Sequence, residues 1–176
     1  MKHILLSFSI VLSMLATAPV HAIQQYLSAD AFLAEVFNGQ VPKPKLLWLL
    51  KDNAKQAEQI LGHAPNQIRQ RYWQQNGVTA WVLEEIGKEE LITAGFVVQA
   101  NKIVQVRVLT YRESRGWEVR HPAFLKQFEG LMLQPDRHLT RQVDGISGAT
   151  LSVSAMSRMT RLALYLDALV AQESQS

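Results

Sequence analysis

The sequence contains no cysteine among its 176 residues. Disulfides, iron–sulfur clusters, thiol redox chemistry and haem attachment through cysteines are therefore excluded. A lipoprotein anchor is excluded too, because it requires an acylated cysteine. If this protein carries electrons, an organic cofactor has to supply the redox chemistry.

A strong charge of one sign is also missing. The chain has 18 Lys and Arg against 15 Asp and Glu, a formal net charge of +3. These charges are interspersed, and no basic run argues for nucleic acid as a partner. The histidines that follow the first 22 residues lack the spacing of metal ligands. Ser147 has no evident histidine partner, so the sequence gives little support to a hydrolase.

The first 22 residues have the pattern of an export signal. Lys2 and His3 precede an apolar run from Ile4 to Leu15, and Ala22 ends a short exit segment. We expect a secretory signal peptide over residues 1–22 that is cleaved near Ala22. The apolar run is short for a membrane span, and an uncleaved anchor is the alternative. The rest of the chain has a length that suits one domain.

Apolar periodicity predicts two helices in the segment 23–78, which we expect to pack on the main domain as a helical segment. Ser28 is the expected cap of the first helix. Asp52 is the expected cap of the second helix, and Gly62 is its expected end. The apolar run 46–50 fits either a strand or a helix.

Three runs rich in Val, Ile, Thr and Phe predict an antiparallel β-meander, because their connections are short. They are Thr79–Glu85, Leu91–Ala100 and Ile103–Tyr111. A last amphipathic helix is expected from Thr150 to about Leu169, followed by a disordered tail at 171–176. The predicted fold class is α+β, an antiparallel meander sheet covered by helices, with the main domain at 79–170.

Alternation along the strands predicts which side chains share a face. In the third strand of the meander, the buried face is expected to carry Val104, Val106 and Val108. Upstream, Arg69, Arg71 and Trp73 would share one face of a short strand. That face is either a basic, aromatic surface near a cofactor or partner, or an edge strand with solvated arginines.

The segment Asp144–Thr150 precedes the last helix and is rich in small and hydroxyl residues. Gly145 and Gly148 allow a tight backbone path. Ser147 and Thr150 offer hydroxyls that are able to cap a helix. A helix that begins here directs unpaired N–H groups and the positive end of its dipole toward Thr150, which suits a phosphate. A simple capped turn is the alternative.

The motif Asp-x-x-Ser-Gly-Ala-Thr, which ends at Thr150, resembles the flavinylation motif of FMN-binding domain proteins, and the match is complete over the motif. The family includes the covalent-FMN subunits of sodium-translocating NADH:quinone oxidoreductase and of Rnf-type complexes. The segment 113–116 resembles the Glu-Thr-Pro-Gly loop of the family, with Arg115 in place of the proline. The resemblance covers residues 79–168.

The resemblance implies FMN bound through a phosphoester to Thr150, attached by an ApbE-type flavin transferase that uses FAD and Mg. It implies recognition of Asp144 by that transferase and a periplasmic electron carrier with membrane or periplasmic redox partners. No autonomous substrate turnover is expected. The other implied cofactor-binding residues are Ser147, Gly148, Ala149, Glu113, Ser114 and Gly116.

Other side chains near the loop are candidates for contact with the flavin ring. Trp81, Tyr111 and Trp117 are able to stack on it. Arg112 or Arg115 would favour anionic reduced forms by charge attraction. Two other functions remain open for the chain: a module that binds flavin without a covalent bond, and an accessory or assembly module of an envelope redox complex.

Overall fold

The structure is a computed structural model that describes residues 24–174. The predicted signal peptide and the last two residues of the predicted tail lie outside the described residues. Within the described part, no helix is long and apolar enough to cross a membrane.

One six-stranded antiparallel sheet forms the centre of the fold, in the order β1-β6-β5-β4-β3-β2. The strands are β1 Gln24–Gln25, β2 Lys45–Trp48, β3 Arg69–Gln75, β4 Val78–Ile86, β5 Leu91–Gln99 and β6 Lys102–Tyr111. The helices are α1 Ala29–Val36, α2 Asp52–Leu61, α3 Pro122–Leu125 and α4 Thr150–Glu173. Short 3₁₀ turns at Trp117–Arg120 and Lys126–Phe128 flank α3. The predicted α+β class and antiparallel meander are confirmed.

The segment before residue 79 is less helical than expected. It holds the two predicted helices, and it also supplies β1, β2 and β3 to the sheet. The ambiguous apolar run is the edge strand β2, which pairs with β3 from Lys45↔Tyr72 to Trp48↔Arg69. Its apolar residues favour a strand here because Leu47 packs into the core while its neighbours lie on the open face.

The two sheet faces carry two separate cores. The larger core lies between one face and the helices α2 and α4, with Trp81, Phe96 and Met156 fully buried in it. The smaller core lies on the other face under α1, where Phe32 contacts the backbone region of Gly95. A Cβ at Gly95 would come within 2.6 Å of the Phe32 ring, so only glycine lets α1 pack this closely. The helices thus cover both faces, but α1 packs on β4, β5 and β6.

Two bulges in β6 change its predicted alternation. Val97 pairs with Gln105 and Val98 with Ile103, so Val104 is an extra residue without a partner and is 42% exposed. The prediction that Val104 shares the buried face is therefore wrong, and Ile103 takes that place. A second register shift inserts Leu109, which turns into the smaller core. Bulges of this kind re-aim side chains without ending the strand.

The helix ends follow the predictions in part. The Ser28 hydroxyl accepts the N–H of Ala31 at 3.1 Å, and Gly62 ends α2 in the left-handed conformation with φ of 82°. Asp52 is the first residue of α2 and does not cap it; Lys51 occupies the cap position without a side-chain hydrogen bond. Helix α4 continues through Glu173, so residues 171–173 of the predicted disordered tail are helical. Buried Leu169 and Val170 hold that last part against the core.

Candidate functional site

A cleft of about 600 Å³ lies at the end of the sheet where β4 turns into β5. Three segments form its walls: the β4–β5 turn at Lys88 and Glu89, the loop 113–115 after β6, and residues 148–152 at the start of α4. The predicted polar loop and the predicted acceptor motif therefore meet at one place, although Glu113 and Thr150 are 37 positions apart along the chain.

Helix α4 begins at Thr150 without a side-chain cap. Its cap residue is Ala149, and Gly148 reaches this start through a φ of 80°. The first intrahelical bond is donated by Val153 to the Ala149 carbonyl at 3.0 Å. The N–H groups of residues 150–152 consequently have no acceptor within the helix, and they carry the positive end of a 24-residue helix dipole. The prediction that Ser147 or Thr150 caps the helix is wrong, which leaves these amides for a ligand.

The carboxylate of Glu113 fastens the β4–β5 turn to the loop after β6. Its Oε1 accepts the backbone N–H groups of Lys88, of Glu89 at 2.8 Å and of Glu90 at 3.1 Å. Three convergent N–H donors satisfy a carboxylate well. Glu113 lines the cleft, but this oxygen is used to position the turn, so the residue shapes the site through Lys88 and Glu89.

Gly116 packs the other side of the loop against the start of α4. A Cβ at this residue would lie 2.7 Å from Tyr111 Oη and 3.0 Å from Ser152 Oγ, and its φ is 82°. The Tyr111 hydroxyl donates to the Arg115 carbonyl at 2.5 Å and also pairs with Ser152 Oγ at 2.9 Å. Because that carbonyl only accepts, Ser152 is the donor to Tyr111. Burial raises the pKa of the Tyr111 phenol, which keeps it a neutral donor.

The cleft contains five of the eight residues that the sequence singled out. These are Glu113, Ser114, Gly148, Ala149 and Thr150. Gly116 lies behind the cleft wall, as described above. Asp144 and Ser147 are exposed and lie outside the lining, and the Asp144 amide donates to Gln127 Oε1 at 2.8 Å. That bond holds the approach to the motif and leaves the Asp144 carboxylate on the surface.

The three aromatic candidates have different surroundings. Trp81 is fully buried and stacks on Tyr72 with ring centroids 5.0 Å apart, so it belongs to the core. The Tyr111 hydroxyl is hydrogen-bonded to the Arg115 carbonyl and to Ser152 Oγ. Trp117 is 41% exposed and lies beside His121 and the Arg120 guanidinium. Of the three, Trp117 is the one with an exposed ring, but it is not part of the cleft lining.

The two arginine candidates, Arg112 and Arg115, also differ in whether they line the cleft. Arg112 donates to the Leu91 carbonyl and to Thr93 Oγ1, both at 3.0 Å, and so points away from the cleft. Arg115 lines the cleft. Sequence reasoning missed Lys88, a second cation of the lining, because it treated that residue only as part of a turn. The hydrogen bond to Glu89 raises the pKa of Lys88, which therefore stays positively charged.

These residues fit a phosphorylated cofactor. The helix amides and Arg115 suit a phosphate, while Lys88 is paired with Glu89 at 2.9 Å in the same lining. Thr150 has an exposed side chain, and half-exposed Leu151 supplies apolar contact. Fold and site thus define an α+β protein with an anion-accepting cleft at a helix N-terminus.

The comparison with protein families identifies that cofactor. Residues 87–165 match the family described as the FMN-binding domain, a stretch that runs from the β4–β5 turn into α4. This match supports an FMN-binding domain over these residues, with FMN as its cofactor. No curated protein and no solved structure matches the chain significantly.

Proposed function

We propose that the protein is a periplasmic electron carrier with FMN attached to Thr150 through a phosphoester. The observation that carries the proposal is the position of Thr150: an exposed threonine at the first residue of an uncapped 24-residue helix, inside the cleft of an FMN-binding domain. The hydroxyl and the free helix amides lie within one turn of helix, so an esterified phosphate would be held by both.

An ApbE-type flavin transferase that uses FAD and Mg is the proposed source of the adduct. The Thr150 hydroxyl would attack the FMN phosphorus of FAD; the bond between the two phosphates breaks, AMP leaves, and the hydroxyl proton goes to solvent or to the transferase. Asp144 lies exposed six residues before the acceptor, where a modifying enzyme is able to reach it. The covalent bond removes the dissociation route, which matters outside the cytoplasm because a released flavin is lost by dilution.

FMN supplies one- and two-electron redox chemistry when bound. The chain supplies the surroundings: Glu113 positions the turn, Tyr111 and Ser152 fix the loop on α4, and Arg115 adds a positive charge at the cleft. The proposed carrier passes electrons between membrane or periplasmic redox partners.

The test is a flavin assay on denatured protein that was exported and matured with the transferase. We expect flavin to remain with the denatured chain, and the tryptic peptide 142–158 to gain the mass of FMN less one water. Thr150→Ala should abolish the adduct, and Thr150→Ser should retain part of it because a hydroxyl survives. Ser147→Ala is the matched control within the same peptide and should keep the full adduct.

Two results would contradict the covalent assignment. If colour is present in the native protein and is lost on denaturation, the protein binds FMN without a covalent bond. If transferase-matured protein carries no flavin at all, an accessory or assembly role in an envelope complex is the better interpretation. An adduct that persists in Thr150→Ala would place the phosphoester on another hydroxyl.

A further inference from the structure

The open face of the sheet beside β2 and β3 carries a basic, aromatic surface that the flavin site does not use. Leu47 lies in the large core, so Leu46 and Trp48 project from the opposite face. Tyr72 lies in the same core, so Arg69, Arg71 and Trp73 project with them. We call this group, together with Leu50, the β2–β3 surface.

Cross-strand pairing brings the charged and apolar side chains of this surface together. Leu46 is paired with Arg71 and Trp48 with Arg69, and the Arg69 guanidinium lies 5.9 Å from the centre of the Trp48 ring. Leu49 donates to the Ile68 carbonyl at 2.8 Å, so Ile68 lies opposite buried Leu49 on the core side of the sheet edge, whereas Leu50 follows Trp48 on the open side.

Large apolar side chains of the β2–β3 surface are unusually exposed. Leu46 and Trp48 are each 49% exposed, and Leu50 is 57% exposed. Helix α1 covers this side of the sheet over β4, β5 and β6, and β2 is the edge strand beyond them. A contiguous exposed apolar patch of this kind marks an interaction site.

The segment that contains β2, α2 and β3 has an excess of positive charge, to which the β2–β3 surface contributes Arg69 and Arg71. Helix α2, with Lys55 and the N-cap residue Lys51, packs on the opposite face of the sheet. Residues 43–73 contain six Lys and Arg and two Asp and Glu, a net charge of +4. The whole chain has 18 basic and 15 acidic residues, so the rest of the chain has twelve basic and thirteen acidic residues, a net charge of −1. Glu84 lines the same cavity as Arg69 and Arg71; it accepts a hydrogen bond from Thr93 Oγ1 at 2.7 Å and lies 4.0 Å from Arg112.

We propose that the β2–β3 surface docks the protein on an anionic phospholipid membrane. Tryptophan beside aliphatic side chains suits the depth of lipid headgroups and upper acyl chains, and arginine suits lipid phosphates. An acidic protein would explain the arginines, but it would not by itself explain the three large apolar side chains Leu46, Trp48 and Leu50 exposed on one face. The docking is reversible and salt-sensitive, because apolar insertion is shallow and the charge attraction is screened.

The surface also has a defined position relative to the FMN cleft. Strand β3 runs antiparallel to β4, with Tyr72 opposite Trp81, so Arg69 lies at the same end of the sheet as the turn after Ile86. Neighbouring strands are about 4.8 Å apart, which puts this end of the β2–β3 surface and the β4–β5 turn roughly 10 Å apart. A docked molecule therefore holds its cleft end close to the membrane surface.

The experiment is co-sedimentation of the exported protein with vesicles, which does not require flavin. We expect binding to phosphatidylcholine vesicles that contain phosphatidylglycerol, no binding to pure phosphatidylcholine, and release by salt. Arg69→Gln with Arg71→Gln should reduce the partition coefficient about thirtyfold, since each basic residue near an anionic surface contributes roughly a factor of five. Lys102→Gln with Arg107→Gln, at two exposed residues of β6, is the charge-matched control and should bind almost normally.

Tryptophan emission provides a second measurement. The wild-type spectrum should shift to shorter wavelength on anionic vesicles, and Trp48→Phe should remove most of that shift. The proposal is overturned if no binding to phosphatidylglycerol occurs, or if the two charge-matched variants lose binding equally. Binding to immobilised polyglutamate through Arg69 and Arg71, without vesicle binding, would assign the surface to an acidic protein instead. A dimer that Trp48→Ser dissociates would assign it to a second copy.

Discussion

Glu113 and Gly87 are in contact across the base of the FMN cleft, 26 positions apart in the chain. A Cβ at Gly87 would lie 2.7 Å from Glu113 Oε1, the same oxygen that accepts the N–H groups of the following three residues. The φ of Gly87 is not positive, so glycine is needed here for space and not for backbone conformation. The Glu113 carboxylate holds the β4–β5 turn at the cleft by hydrogen bonds, and Gly87 leaves the space that this carboxylate needs.

Glu113→Ala should destabilise the protein by about 1–3 kcal/mol, because three turn amides lose a charged acceptor. Glu113→Gln keeps an oxygen acceptor and should lose less. Equilibrium unfolding in urea measures both. Glu129→Ala, at an exposed residue, is the control and should stay within about 0.5 kcal/mol of wild type. Equal stability of Glu113→Ala and the control would show that the hydrogen bonds from Glu113 to the turn contribute nothing to the stability of the protein.

Gly87→Ala should cost about 1–3 kcal/mol, because the new methyl group overlaps Glu113 Oε1 and approaches Ile92 Cδ1 at 3.1 Å. The cost should shrink when Glu113 is also changed to Ala, because the main obstacle is then gone. A double-mutant cycle by urea unfolding gives the coupling energy directly. Additive effects of the two substitutions would contradict the contact.

The meander could be predicted from sequence because its signals are local. Alternating β-branched residues and the turns at Asn76-Gly77 and Asn101-Lys102 define strands whose ends fall within one residue of the prediction at most positions. Val104 could not be predicted, since a bulge depends on the partner strand and is absent from the alternation itself. The run 46–50 stayed ambiguous because five consecutive apolar residues have no period.

The site could be predicted only where a motif carried it. The segment ending at Thr150 was identified from its own residues and its resemblance, and the structure places Thr150 in the cleft. The role of Glu113 could not be derived, because its partners are backbone amides of a turn more than 20 positions away. Ser152 and Lys88 were missed for the same reason. The sequence places Ser152 in a helix and Lys88 in a turn, but it does not show that both lie beside the loop after β6.

Tyr111→Phe tests the contact between the loop and α4. The variant leaves the Arg115 carbonyl and the buried Ser152 hydroxyl without the phenol, so we expect a loss of about 1–3 kcal/mol in urea unfolding. Adding Ser152→Ala should cost less in this background than in wild type, since the two hydroxyls share one hydrogen bond. If Tyr111→Phe is as stable as wild type, the hydrogen bonds do not hold the loop.

Arg115→Gln should lower the midpoint potential of the bound flavin, because a cation near the ring favours reduced, more negative forms. One charge at 4 Å in water contributes about 1 kcal/mol, equivalent to roughly 40 mV for one electron as an upper figure. Spectroelectrochemistry measures the shift. Arg112→Gln is the charge-matched control, since Arg112 is bound to Leu91 and Thr93 outside the cleft. Equal shifts in both variants would rule out a specific role for Arg115.

His63 should give the stability of the protein a pH dependence near neutrality. Its Nδ1 pairs with the Ala64 carbonyl at 2.8 Å and its Nε2 with Glu85 Oε1 at 2.9 Å; both acceptors favour an N–H, so only the imidazolium satisfies both. The hydrogen bond to buried Glu85 is the main cause that raises the pKa of His63 above its ordinary value of 6.5, while burial and Arg158, 3.0 Å from the same oxygen, oppose it.

A raised folded-state pKa gives stabilisation that is complete below the unfolded pKa and is lost as pH rises through the folded pKa. His63→Gln should therefore be less stable than wild type at about pH 5.5, and the gap should narrow by about pH 8.5. The pH-dependent part should stay below about 1 kcal/mol, because the His63 side chain is 41% exposed. Urea unfolding at both pH values measures it, with exposed His138→Gln as the control. A gap that is constant or widens with pH would show that the Glu85 pairing does not favour the protonated ring.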